Sequence, residues 1–216
     1  MTIKKKKYIR NMKHVKYYET FNTGKRHLII IDCQKSFKKF FTDNYLKELN
    51  NYANEFNVIQ IFDNHHDGKN PDLDYLYSEN PDIENKNDLY KFNNQSELIE
   101  KRYQYDVDVD YYKNILDENI YNEMKLKEEK GELKKGDMFR TTKKTAIVFI
   151  GNNHRFFHIG IKLLNLFEKL KGKEVVFCGG SGPECFADLV ISAKSIGVKV
   201  LVNKKFIYTA NFCPIK

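Results

Sequence analysis

No apolar run in this chain approaches the length needed to span a bilayer. Met1 is followed by Lys4 to Lys7 with no apolar stretch behind them, so no secretory signal is expected. The four cysteines, Cys33, Cys178, Cys185 and Cys213, show no framework spacing and no C-x-x-C pair. That excludes a disulfide scaffold and predicts reduced thiols. No internal repeat is present. The segment Asp32-Cys-Gln-Lys-Ser36 holds no glycine, which counts against a phosphate-binding loop at that turn. These absences together predict a soluble, cytoplasmic protein with no membrane partner.

What is present suffices for one core. The chain has 216 residues, of which 41% are hydrophobic and 14% aromatic, too many for a disordered chain. The net charge of +8 is unevenly placed. Residues 1–26 carry nine Lys or Arg against one Glu and read as a basic N-terminal arm. Such an arm can bind nucleic acid or an acidic partner, although the Lys, Asn, Ile and Tyr bias of the whole chain also follows from AT-rich coding DNA. Residues 67–137 are polar and carry 19 Asp or Glu against 11 Lys or Arg. They read as an insertion over a sheet edge, helical at about 113–130, that could serve as a lid, an oligomer contact or a tether. Residues 27–216 are then one α/β domain containing that insertion.

Short, β-branched, nearly continuous apolar runs occur at 27–32, 58–63, 146–151, 175–179 and 198–202. Strands buried on both faces look like this. Helical spacing lies between several of them: Tyr45, Leu46, Leu49, Tyr52, Ala53 and Phe56 behind a capping Asp43; Ile161, Leu164 and Phe167 before Gly172; and Phe186, Leu189, Val190 and Ala193 before Gly197. Alternating strands and helices imply a doubly wound, Rossmann-like, mostly parallel sheet of five or six strands with flanking helices.

Ligands of such sheets bind at the carboxyl ends of the strands. The residues there are Asp32-Cys33-Gln34, Asp63-Asn64-His65-His66, Asn152-Asn153-His154 and the loop from Gly179 to Cys185. Cys185 is the nucleophile candidate. It opens a helix, and a helix N-terminus lowers a thiol pKa and offers N–H groups to an oxyanion. Gly180, Ser181, Gly182 and Glu184 form the loop that would carry substrate or an oxyanion. A buried structural cysteine beside a shape-selected loop is the plainer alternative. Asp32 can act as a general base or can cap its turn. Asp63 and His65 can supply two metal ligands, whereas a zinc site needs three or four.

In this order the pieces resemble the isochorismatase-like cysteine hydrolases, which include the nicotinamidases. The resemblance rests on Asp32-Cys-Gln-Lys-Ser-Phe37, on Asp63-Asn-His65 and on Val175-Val-Phe-Cys-Gly179 followed by Cys185, over about 27–66 and 140–210. It implies a six-stranded parallel sheet and an Asp–Lys–Cys triad that cleaves a C–N or related bond of a small-molecule substrate through an acyl-enzyme. It also implies a divalent metal, zinc for example, at the Asp-x-His turn, and it is compatible with a homo-oligomer. The lysine is expected at the end of the third strand. If that strand is Ala146 to Gly151, no lysine follows. If it is Met138 to Thr142, the lysine is Lys143 or Lys144, and Lys144 is the candidate. Two alternatives stay open: a catalytically inactive relative used for binding or assembly, and a rearranged site using His154 or His158.

Overall fold

The computed structural model describes residues 24–63, 88–101, 103–107, 109–114, 116–151 and 156–209. Its centre is β1 (His27–Ile31), whose Leu28 to Ile31 are fully buried. A strand this apolar has no solvent face and must be covered on both sides. β1 pairs in parallel with β2 (Asn57–Phe62) on one edge and with β8 (Glu174–Gly179) on the other. β3 (Gln95–Glu100) extends the sheet beyond β2, and β9 (Lys199–Ile207) extends it beyond β8. The result is a parallel five-stranded sheet of order β3-β2-β1-β8-β9.

Its two faces are covered by different helices, as alternation of side chains along each strand requires. Leu28, Ile30, Val58, Val176 and Cys178 pack against α1 (Asp43–Ala53) with Phe206 and Tyr208. Ile29, Ile31, Ile59, Ile61, Val175 and Phe177 face α3 (Ile161–Lys169) and α4 (Cys185–Ile196). This is the α/β, mostly parallel arrangement with flanking helices that the periodicity predicts. Thr42 rather than Asp43 caps α1, its hydroxyl accepting from the Tyr45 N–H at 3.1 Å. Gly197 closes α4 in the left-handed region at φ 101°, where glycine carries no Cβ penalty.

Three expectations differ from the structure. The run at 146–151 belongs to a second, antiparallel sheet of order β4-β7-β6-β5. Its strands are β4 (Tyr103–Val107), β5 (Met138–Arg140), β6 (Ala146–Phe149) and β7 (Phe156–Ile159). Ala146, Val148, Phe157 and Ile159 share the α3–α4 core, while Ile147, Phe149 and Phe156 pack with Met124 of α2 (Glu118–Glu129) and with Val109 and Tyr112. An antiparallel strand covered on both faces is as uniformly apolar as a parallel one, so the run could not tell them apart. Segment 67–137, expected as an insertion over the edge, instead contributes β3 to the parallel sheet. β3 is an edge strand with only Ile99 and Glu100 buried, so it lacks the apolar signature of its neighbours. The parallel sheet has five strands among the described residues, where the family resemblance implies six. Most of the basic arm, residues 1–23, lies outside the described residues, as do 64–87.

His158 lies on β7, fully buried, with Nε2 and Thr145 Oγ1 3.0 Å apart. Burial lowers its pKa from the ordinary 6.5 to about 4. Between those values the unfolded chain takes up a proton that the folded chain does not. The contribution to stability is therefore full above pH 6.5 and lost as pH falls through about 4. Urea unfolding should show the wild type losing about 3 kcal/mol more than a His158→Leu variant across this window; parallel pH profiles for the two proteins would contradict it.

Candidate active site

The order β3-β2-β1-β8-β9 reverses direction between β1 and β8. The chain winds outward from β1 through β2 to β3, then restarts on the other side. The crevice at the carboxyl end of that reversal is where open α/β sheets take ligands. Asp32 is the first residue past β1, and the loop from Gly180 to Glu184 follows β8.

Asp32 is almost fully buried and has φ 49°, an uncommon left-handed conformation for a residue with a side chain. Its N–H donates to Ile61 O at 2.8 Å, and its carbonyl accepts from the Gln34 N–H at 3.0 Å. Gln34 then clamps the end of β2. Its Nε2 donates to Asp63 O at 2.8 Å, and its Oε1 accepts from the Asp63 N–H at 2.7 Å. The Asp-x-Gln spacing thus joins the ends of β1 and β2 through one side-chain amide.

The cation facing Asp32 is Lys101, the first residue past β3. Its Nζ lies 2.5 Å from Asp32 Oδ2 and 3.6 Å from Asp63 Oδ2, with the lysine side chain wholly buried. Two strand spacings, roughly 9–10 Å, separate β3 from β1. Only a long side chain crosses that distance, and it passes over the end of β2 where Asp63 stands. The Lys101 N–H donates to Phe62 O at 2.7 Å, which continues the β2–β3 ladder and sets the direction of the side chain.

Burial raises the Asp32 carboxyl above the ordinary carboxylate value. The Lys101 charge opposes that rise, the Asp63 charge adds to it, and hydrogen bonds from Lys101 and Cys185 favour the ionised form. Asp32 and Lys101 are therefore in direct contact, and Cys185 acts electrostatically on the same carboxyl. Cys185 is partly exposed and opens α4, whose twelve residues place its N-terminal N–H groups at this edge. The other two described thiols, Cys33 and Cys178, are buried on the α1 side, where burial pushes their pKa values up.

The glycines ahead of Cys185 answer to space as well as to conformation. Gly179 has φ 105°, and a Cβ there would lie 2.1 Å from Ile31 O. A Cβ on Gly180 would lie 1.9 Å from the Tyr208 hydroxyl oxygen. Gly180 N–H donates to Ile31 O at 2.8 Å and Gly182 N–H to Tyr208 O at 2.9 Å, so the loop is tied to β1 and to the end of β9. Ser181 is buried, and its carbonyl accepts from the Glu184 and Phe186 N–H groups at 3.1 and 3.2 Å. Glu184 is exposed at the cap of α4 and makes no side-chain cap hydrogen bond.

Lys144 is not in this cluster. It sits exposed in the β5–β6 hairpin turn at φ 57°, in the antiparallel sheet. The Thr141 N–H donates to Thr145 O at 3.0 Å and closes a three-residue loop at 142–144, whose third residue favours the left-handed region, and the turn tip leaves the Lys144 side chain in solvent. The lysine at the end of the third strand of the parallel sheet is Lys101. The sequence offered Ile99-Glu100-Lys101 as a signal, hidden by the polar start of an edge strand. His158 belongs to β7 of the other sheet, and His65 and His154 lie outside the described residues. Among the described residues no group of three or more His, Cys, Asp or Glu could hold a metal. Asp63 Oδ2 already faces the Lys101 ammonium. The Asp63–His65 pair expected to hold a divalent ion lies only half within the described residues. Among the described residues no helix is long and apolar enough to cross a membrane. Comparison with protein-family models, curated proteins and solved structures finds no match for this chain.

Removing one partner of a buried ion pair leaves the other charge uncompensated. Lys101→Met should therefore lower unfolding stability by about 3–5 kcal/mol at pH 7. The loss should shrink toward pH 5, because Asp32, with its pKa raised further, takes up a proton and becomes neutral. Lys144→Ala should change stability by less than about 0.5 kcal/mol. Urea titrations at both pH values measure this, and equal losses for the two variants would refute the assignment of the buried pair.

Proposed function

We propose that the protein is a cysteine-dependent hydrolase acting on a C–N bond, or a related ester or vinyl ether bond, of a small molecule. The observation that carries this reading is a buried carboxylate, a buried ammonium 2.5 Å from it, and a partly exposed thiol near enough to favour the ionised form of the same carboxyl. A helix N-terminus beside the thiol supplies donors for an oxyanion. The three residue types, and their positions after the first strand, after the third strand and at the start of a helix, are those that the resemblance to isochorismatase-like hydrolases implies. A missing lysine was one ground for the inactive alternative, and Lys101 beside Asp32 supports the active reading at that point.

The chemistry for an amide follows from the roles. Asp32 accepts the Cys185 thiol proton, and its raised pKa suits it to hold that proton between steps. The thiolate adds to the substrate carbonyl, and the oxygen takes the negative charge at the positive end of the α4 dipole. The intermediate collapses with cleavage of the C–N bond. The amine leaves with the proton from Asp32, and Cys185 remains as a thioester. Water then gives a proton to Asp32 and adds to the thioester carbonyl. Collapse releases the acid and returns the proton to the thiol. Lys101 holds the Asp32 carboxylate in place throughout and offsets the charge on Asp32 and Asp63.

At neutral pH, Cys185 should react with iodoacetamide at least about tenfold faster than Cys33 or Cys178. Peptide mapping by mass spectrometry reads this rate for each cysteine. Acid-quenched incubation with a panel of primary amides should trap an acyl group on Cys185 alone. Cys185→Ala should lower turnover of any accepted amide by about 10³-fold or more. Uniform slow labelling of the cysteines, or turnover that survives Cys185→Ala, would sink the reading.

A further inference from the structure

The Asp32 turn and the Cys185 loop come from different strands, and the cluster works only if their relative position holds. One residue contacts both. Tyr208, just past β9, donates its main-chain N–H to Gly179 O at 3.3 Å and accepts the Gly182 N–H at 2.9 Å. Its hydroxyl donates to Asp32 O at 2.5 Å. Its ring is wedged among Phe41, Phe40 and Tyr45, with centroids 5.2, 6.2 and 6.3 Å away, and occupies the space that any side chain on Gly180 would need.

The hydroxyl meets Asp32 at a strained place. With φ at 49°, the Asp32 backbone is in a conformation that costs a non-glycine residue free energy and persists only where neighbours enforce it. Asp32 O accepts two hydrogen bonds, from the Gln34 N–H within the turn and from the Tyr208 hydroxyl across the sheet. Only the second links that peptide to the loop carrying Cys185. Burial pushes the Tyr208 hydroxyl well above its ordinary pKa, so it stays a donor through the working pH range.

We infer that Tyr208 is a positioning residue for the proposed hydrolase: its hydroxyl fixes the Asp32 peptide in the orientation that keeps the carboxylate on the Cys185 thiol. This rests on the reading of Cys185 as nucleophile. Tyr208→Phe keeps the ring and all of its packing and deletes one hydroxyl. Tyr45→Phe is the matched control, since the Tyr45 hydroxyl sits in the same aromatic cluster but donates to Phe206 O at 2.9 Å and not to Asp32 O.

The experiment measures the rate of Cys185 alkylation by iodoacetamide from pH 5 to 9, with thermal melting, for wild type and both variants. Tyr208→Phe should remain folded, lower the neutral-pH rate about five- to tenfold, the size of one net hydrogen bond, and move the midpoint of the pH profile upward. Tyr45→Phe should lower the melting temperature comparably and leave rate and profile unchanged. Superimposable pH profiles for wild type and Tyr208→Phe, with fast Cys185 labelling in both, would overturn the positioning role and leave the nucleophile reading standing. Equal rate losses in the two variants, or a Tyr208→Phe protein that does not fold, would assign the hydroxyl to general stability and overturn it as well. Slow Cys185 labelling already in the wild type would bring down the nucleophile reading and the positioning role together.

Discussion

The Lys101–Asp32 pair crosses the full width of β2 and is sealed from water. Taking two charges into a protein interior is expensive, and the attraction between them offsets that cost only where geometry and further hydrogen bonds are good. That requirement runs through the surrounding structure. The Gln34 amide holds the end of β2, the Lys101 main chain is tied to Phe62, and the Asp32 main chain is tied to Ile61. A well-packed apolar pair in the same place would give a stable sheet with fewer constraints. A charged tie accords with the proposed chemistry, since perturbed ionisable groups cluster at functional sites.

Close backbone approach is the second condition. The Cys185 loop can lie against β1 because Gly179 and Gly180 have no side chains, and the volume that a side chain would take is filled by Ile31 and Tyr208. The thiol is thereby delivered to the edge already occupied by the acid and the ammonium. The same close packing separates Cys185 from Cys33 and Cys178, which face α1 in an apolar cluster where a thiolate is disfavoured. Three cysteines within one small region thus have different chemical prospects, set by the face of the sheet on which each falls.

The second sheet supports this arrangement from behind. Its inner face completes the core around α3 and α4, and its outer face is closed by α2. α4 is consequently packed between two sheets, which fixes the helix that starts with Cys185. For the proposed nucleophile, a helix held from both sides supplies the rigidity that a site needs to keep a thiol and a base in register.

The central strands, the alternation with helices, the parallel sheet, the strand-end positions of Asp32 and Asp63 and the helix-start position of Cys185 were all legible in the chain. Burial on both faces writes itself as continuous apolar residues, and topology puts chemistry after the carboxyl ends of the strands. The partner of Asp32 was not legible. β3 is an edge strand, half exposed, and its residues carry no run that sets them apart from a polar loop. β6 does carry such a run, yet it belongs to an antiparallel sheet, since an apolar strand records burial and not the direction of its neighbour. The sequence by itself determined which residues had to leave water. Only the tertiary structure decided that Lys101 rather than Lys144 reaches Asp32, and that Tyr208 joins the Asp32 turn to the Cys185 loop. Both depend on pairing between segments remote in sequence, which local residue pattern does not encode.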